Sequence, residues 1–430
     1  MDSIPMKSPS AKHFQKQILD DYFDRLASAR DRGQKVVYTF VPGNLTELIL
    51  SFDLLPVYPE VNALQSALRG DSGNFVKRAE MAGHSEDVCS YVKCDIGMML
   101  LGNTGPAGKP LPPPDLLLLS YTGCFTFMKW FENLAALYDC PIALLHVPYQ
   151  AEGGVTPAMT RYVVRQLEEE IIPAMARVSG RPYDPEKIRA MCALAAQSES
   201  LFVRCLESAQ HVPSPIDSYF GGVFYMFPIF TAFRGTLEAV KYYRLLLEEI
   251  EKRIRENRTA FTLEGDLPEE RYRIVVEGPP NWTHFWELWK LFYRRGAVVV
   301  AGSYVRVGGI YDNGFRHDPD HPLESFARYC MGCYTNLSVP ARVDLLTRFM
   351  EDYKADGLVV HSVKSCNSFG AGQLLILKEV EKRTAKPCGF IESDLVDPQY
   401  FSRAHIKNRL DAYFQMIDER RAYHDRNPGH

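Results

Sequence analysis

The sequence predicts an α/β fold: two parallel-sheet lobes of the Rossmann or flavodoxin-like kind, with a mainly helical segment between them. Two observations point there. Apolar, β-branched runs alternate with helical patterns in both halves of the chain, which is the rhythm of parallel strands joined by crossover helices. Between the halves, from about 156 to 257, the apolar residues keep helical spacing. A length of 430 residues suits two or three domains. The expected division is an N-terminal helical segment over 1–34, a first lobe over 35–155, a helical segment over 156–265, and a second lobe with a closing helix over 266–430.

Each element has its own reason. Leu19, Tyr22, Phe23 and Leu26 recur at helical spacing among charges, so the N-terminal segment reads as a helix. Residues 35–41 are β-branched and aromatic, a strand. Pro42-Gly43-Asn44 turns the chain into a helix over 45–52, and 54–58 is strand-like. Strand 115–120, helix 125–138 and strand 141–147 continue the alternation. The Gly- and Pro-rich stretch 105–114 excludes helix and central strand, and reads as a surface connection. Helices are expected over 161–172, 185–209 and 236–256. The second lobe begins with strand 272–277, helix 282–293 and strand 297–301. Helix 343–353, strand 357–360, helix 371–384, strand 387–392 and a last helix over 403–423 follow. Trp282, Trp286 and Trp289 fall on one face of their expected helix, a core stripe.

Composition excludes several classes. With 49 Lys and Arg against 53 Asp and Glu, the net charge is −4, which gives no electrostatic case for nucleic acid or an anionic membrane. The longest apolar run, 220–230, is broken by Gly221, Gly222 and Pro228 and is far short of the roughly 20 residues of a spanning helix. Residues 1–14 are polar and carry lysines, unlike a secretory signal, so a cytoplasmic protein is expected.

Ten cysteines stand out against this background. In a chain this long they do not read as a disulfide framework, which leaves packing or metal and redox duty. Cys124 and Cys366 each follow an apolar strand by a few residues and precede a helix. Ligand sites of open α/β sheets lie at the carboxyl ends of strands. A thiol at a helix N-terminus sees the positive end of the helix dipole, which favours thiolate. The competing reading is a small residue tolerated in a tight turn. Ser85, with Glu86 and Asp87 after it, reads as a helix N-cap, which would put Cys89 in the first turns and turn Cys94 away from it. Cys330 and Cys333 form a C-x-x-C pair, either half a metal site, a redox pair or packing. Cys140, Cys192, Cys205 and Cys388 lie in apolar patterns and read as packing residues. No phosphate-binding loop is present, so ATP binding by this chain is not supported.

Several strings carry a resemblance. Thr39-Phe-Val-Pro-Gly-Asn44, Gly83-His-Ser-Glu-Asp-Val-Cys89 and Leu119-Ser-Tyr-Thr-Gly-Cys-Phe-Thr-Phe-Met-Lys-Trp130 are three of them. Glu277-Gly-Pro-Pro-Asn-Trp282, Gly332-Cys-Tyr-Thr-Asn336, Lys364-Ser-Cys-Asn-Ser-Phe369 and Glu392-Ser-Asp-Leu-Val-Asp-Pro-Gln-Tyr400 complete the set. From about residue 35 to the end, the chain resembles the B-type subunits of ATP-dependent benzoyl-CoA reductases, within the wider family of 2-hydroxyacyl-CoA dehydratases.

The resemblance implies an oxygen-sensitive hetero-oligomer that reduces the ring of benzoyl-CoA by two electrons to a cyclohexadiene-carbonyl-CoA, in anaerobic aromatic degradation. It implies a [4Fe–4S] cluster at the lobe interface, held by Cys89, Cys124 and Cys366. It implies a homologous cluster-binding subunit, two ATP-hydrolysing activator subunits that use the ATP, and a ferredoxin-type electron donor. His84, five residues before Cys89, and His361, at a strand end near Cys366, are candidate proton donors. A hydrogen-bonding or helix-capping histidine is the competing reading for both. Glu60 and Asn62, after the strand-like 54–58, are candidates to face substrate. Two other readings stay open: a 2-hydroxyacyl-CoA dehydratase subunit, and an electron-transfer or scaffold subunit whose partner holds the substrate.

Overall fold

A computed structural model describes residues 10–105, 108–151, 154–262, 264–306 and 315–426. Two four-stranded sheets organise it. The first contains β1 (Val36–Thr39), β2 (Leu55–Val57), β3 (Leu116–Tyr121) and β4 (Ile142–His146), in the order β2-β1-β3-β4 with every pair parallel. A two-stranded hairpin, β5 (Phe261–Thr262) with β6 (Gly265–Asp266), precedes the second sheet. That sheet contains β7 (Tyr272–Glu277), β8 (Ala297–Gly302), β9 (Gly357–Val363) and β10 (Cys388–Ser393), in the order β10-β9-β7-β8, again all parallel.

Counted from each lobe's first strand, both sheets have the same order, second-first-third-fourth. The chain therefore reverses direction between the first and third strands of each lobe, the switch point where open α/β sheets gather ligands. The central strands are buried along almost their whole length, as sheets covered on both faces require. β4, an edge strand, instead alternates exposed and buried residues.

Most expected elements are present with shifted ends. The helix expected over 161–172 starts earlier, at Pro157–Gln166, passes through a π-turn at Leu167–Ile171, and continues as Ile172–Ser179. The helix expected from 282 starts at Phe285 and runs to Tyr293, because Trp282 belongs to the loop after β7. The tryptophan stripe accordingly splits. Trp286 and Trp289 pack on Phe224 and Phe220, while Trp282 stacks on Phe285. The apolar run at 220–230 folds as a π-turn, Gly222–Met226, followed by the helix Phe227–Phe233. No helix among the described residues is long and apolar enough to cross a membrane. Residues 1–9 of the lysine-bearing N-terminus and 106–107 of the Gly/Pro-rich connection lie outside the described residues.

Two features tie the segments together. The N-terminal helix, Ala11–Ala27, lies across both neighbours: Tyr22 Oη donates to the Pro56 carbonyl, and Gln15 Nε2 donates to those of Phe224 and Tyr225. In the interior, Arg234 pairs with Glu47 and donates to Asn44 Oδ1 and Tyr329 Oη. Burial alone would raise the Glu47 carboxyl, but the Arg234 charge, with His317 and the hydrogen bonds, holds it below its ordinary range.

Candidate functional site

Cys89, Cys124 and Cys366 each occupy the N-cap position of a helix: Ser90–Leu100, Phe125–Tyr138 and Asn367–Gly370. Cys124 follows β3 and Cys366 follows β9, the third strand of each lobe, so the two stand at equivalent places in the two sheets. Cys89 stands at the entry to the last helix before β3; the last helix before β9, Val339–Asp352, has Ser338 at its entry. The three line one cavity, together with Val41, Glu60 and Tyr91 of the first lobe and Pro279, Tyr304 and Ser368 of the second. The helix behind Cys89 departs from the sequence expectation: it starts at Ser90, not Ser85, whose hydroxyl instead closes a turn by accepting from the Asp87 N–H. Cys94 is buried elsewhere, against the Ala63 carbonyl.

The charge state of the thiols also departs from expectation. Helix N-termini do aim backbone N–H groups at these thiols: Phe127 and Thr126 at Cys124, Phe369 and Ser368 at Cys366. Burial outweighs them. It pushes all three thiols up, with Cys366 at about 12, and the sulfurs raise one another: Cys366 and Cys124 both act on Cys89. Without a cation the three are neutral thiols, and a metal would release their protons on binding.

The donor set could hold an iron–sulfur group: three soft thiol donors from distant segments line one cavity.

The backbone around the cysteines is held tightly. Ser90 and Ser365 both donate to Oδ1 of Asp394, at 2.6 and 2.8 Å, and the Ser90 N–H donates to Ser365 Oγ. The neighbour of Cys89 is thereby fastened to the neighbour of Cys366 across the lobe interface. Gly123, just before Cys124, has φ +80°, and a Cβ there would run into the Thr335 carbonyl. Thr335 Oγ1 in turn donates to the Thr122 carbonyl. Sequence reasoning misses both serines and Asp394. The one signal it could use is adjacency: each serine neighbours a candidate cysteine.

Glu60 faces the cavity. It begins the helix Pro59–Arg69, accepts from the Val41 N–H through Oε2, and is pushed up by burial to about 8. At neutral pH its protonated form is therefore favoured. Beside it Trp282 Nε1 donates to Tyr91 Oη, which stands 3.2 Å from Tyr304 Oη. Asn62 is buried with no partner for its Nδ2, and does not line this cavity.

The candidate histidines lie outside the lining. His84 is half-buried in the turn before Cys89. His361 is fully buried, donates from Nδ1 to the Pro279 carbonyl, and accepts from Ser393 Oγ at 2.6 Å through Nε2. Burial lowers it to about 4, so it is neutral. Cys330 and Cys333 are buried beneath the Pro42-Gly43-Asn44 turn, with Cys330 Sγ donating to the Gly43 carbonyl. Neither lines the cavity.

Known proteins resemble this chain along nearly its whole length. The B-type subunit of the benzoyl-CoA reductase of Thauera aromatica is 59% identical over 408 residues, covering 95% of this chain and 94% of that one. The (R)-phenyllactyl-CoA dehydratase alpha subunit of Clostridium sporogenes is 25% identical, covering 96% and 97%. The (R)-2-hydroxyisocaproyl-CoA dehydratase alpha subunit of Clostridioides difficile is also 25% identical, covering 94% and 95%. The family described as 2-hydroxyglutaryl-CoA dehydratase, D-component, matches residues 39–417, which takes in every strand from β2 to β10 and all three cavity cysteines, and the chain belongs to that family.

Proposed function

We propose that this chain is the B-type subunit of an ATP-dependent benzoyl-CoA reductase, with a [4Fe–4S] cluster held by Cys89, Cys124 and Cys366. The observation that carries the reading is the convergence of these three N-cap thiols on one cavity at the strand ends. The likeness to a named reductase subunit, far above that to the dehydratase subunits, favours reduction over dehydration. The proposal includes a related cluster-binding subunit, two ATP-hydrolysing subunits and a ferredoxin-type donor.

The reaction adds two electrons and two protons to the ring and leaves the thioester intact. When bound, the cluster supplies low-potential electrons one at a time. The chain's own residues do the rest. The Glu60 carboxyl holds a proton at the cavity wall, where the added charge would be neutralised. Its Oε2 stays fixed by the Val41 N–H. Tyr91, Tyr304, Phe127 and Phe369 line the cavity and exclude water. The Asp394 bridge fixes two of the three thiols relative to each other.

The test is iron and acid-labile sulfide analysis with EPR on anaerobically purified complex, followed by product analysis with benzoyl-CoA. About four of each per chain, lost in Cys124→Ala, together with a dearomatised thioester, is expected. Loss of water from a 2-hydroxyacyl-CoA with no ring reduction would assign the chain to dehydration. An iron-free, well-folded complex would end the cluster assignment.

A further inference from the structure

Three buried cations of this chain meet carboxylates: Arg234 meets Glu47, Arg273 meets Glu270, and Lys93 meets Glu80. Arg342 differs. It lies on the helix Val339–Asp352 and is 5% exposed. Its Nη1 donates to the Ser368 carbonyl at 3.0 Å and its Nη2 to that of Thr335 at 3.2 Å, while Nε has no partner. Among the described residues, no carboxylate stands within ion-pair distance of it. Its guanidinium carbon is 4.8 Å from the centre of the Tyr334 ring and 5.7 Å from that of Phe369, and the two rings stack on each other. Glu277, at the end of β7, is the carboxyl whose charge Arg342 acts on; burial pushes it up, and Arg342 opposes that only in part.

The place of this cation is specific. Ser368, Thr335 and Phe369 all line the cysteine cavity, so Arg342 stands directly behind its wall. Ser368 is two residues after Cys366. Thr335 Oγ1 donates to the carbonyl of Thr122, two residues before Cys124. The side chain thus reaches the loops of two of the three thiols. In a buried setting its charge acts over several ångströms with little screening.

We infer that Arg342 is a charge-compensating residue of the proposed iron–sulfur site: its guanidinium stabilises the negative charge added when the cluster takes up one electron, and so raises the potential at which this chain accepts electrons. The inference rests on the proposed ligand set. Three thiolates outweigh the charge of the oxidised core, and one electron makes the group more negative still, the state that a fixed cation favours. The electron comes from the ferredoxin-type donor by way of the ATP-hydrolysing subunits, and no bond or proton changes at Arg342. Arginine suits the task because it stays charged when buried.

The experiment is an EPR-monitored redox titration of the anaerobic holo-complex, in which the signal of this chain's cluster is the one absent from Cys124→Ala. In Arg342→Gln the midpoint should shift to lower potential, so that the oxidised-to-reduced ratio at the wild-type midpoint rises at least threefold, with iron content near wild type. Arg342→Lys keeps the charge without the planar fork and should recover most of the shift. Arg342→Gln/Glu277→Gln removes the buried acid together with the cation. It should shift the same way, and it carries the test where the single variant does not fold. An unchanged midpoint in the Gln variants, or equal shifts in Arg342→Lys and Arg342→Gln, overturns the inference while the proposed function stands. A wild-type complex with no signal that depends on Cys124 overturns the proposed ligand set, and the inference with it.

Discussion

The backbone N–H of Ser90 donates to Ser365 Oγ at 3.1 Å, joining the residue after Cys89 to the residue before Cys366. The contact crosses the lobe interface, and Asp394 closes it by accepting from both serine hydroxyls. Outer-sphere partners of this kind set ligand orientation and affinity.

Asp394→Ala should therefore loosen the proposed cluster without removing a ligand. The expected result is a preparation with reduced iron content and faster loss of iron on exposure to air. Ser365→Ala, which removes one of the two hydroxyl donors, should fall between it and wild type. Iron retention equal to wild type in both variants would show that the bridge serves packing alone.

Cysteine variants should separate into two groups. Ala at Cys89, Cys124 or Cys366 should abolish stoichiometric iron, while Ala at Cys330 or Cys333 should leave iron and EPR unchanged, since neither lines the cavity. The measurement is metal analysis on folded, anaerobically purified complex. Iron loss in Cys330→Ala would require a ligand role for that pair.

Glu60→Gln keeps an oxygen to accept from the Val41 N–H but has no proton to give. Turnover should fall about 10²-fold or more, with iron content unchanged. Stability gives a second readout. Burial raises the folded-state value to about 8, against about 4.3 unfolded. The contribution is thus fully present below about pH 4.3 and lost as pH rises through about 8. Urea unfolding at pH 6 and pH 8.5 should show the wild type losing more stability than the variant over that interval.

Arg234→Ala leaves Glu47 buried and unpaired, which costs about 3–5 kcal/mol. A large fall in the melting temperature is expected. A fall no larger than that of an exposed arginine, such as Arg165, would show that the network is not supporting the junction between the helical segment and the first lobe.

Gly123→Ala should be more harmful than an ordinary loop substitution. It combines a left-handed backbone with collision against the Thr335 carbonyl, beside Cys124. Lower stability and lower iron content are expected together, and a variant that is stable and fully loaded would refute the crowding argument.

The legible parts of the fold are those where burial writes itself into composition. Parallel strands covered on both faces appear as runs such as Leu116 to Leu119, and the helix after Cys124 carries a clear apolar face. The helix after Cys89 is misplaced by sequence reasoning because Ser85-Glu86-Asp87 imitates an N-cap, while 90–98 are buried all round and show no helical period. Cys124 and Cys366 are legible because each thiol follows its own strand. Asp394 is not, since one of the serines it acts through, Ser90, lies hundreds of residues away in sequence. His361 illustrates the reverse: its position near Cys366 is readable, but its two hydrogen bonds, which occupy both ring nitrogens, are not.

The spread of the three thiols along the chain has a consequence for how the protein is made. On the proposed ligand set, a ribosome must translate past Cys366, well into the second lobe, before all three ligands exist. Truncated products that stop before Cys366 are then born without the full ligand set. Once the chain has folded, burial favours the protonated form of the three sulfurs, the form that is slow to oxidise.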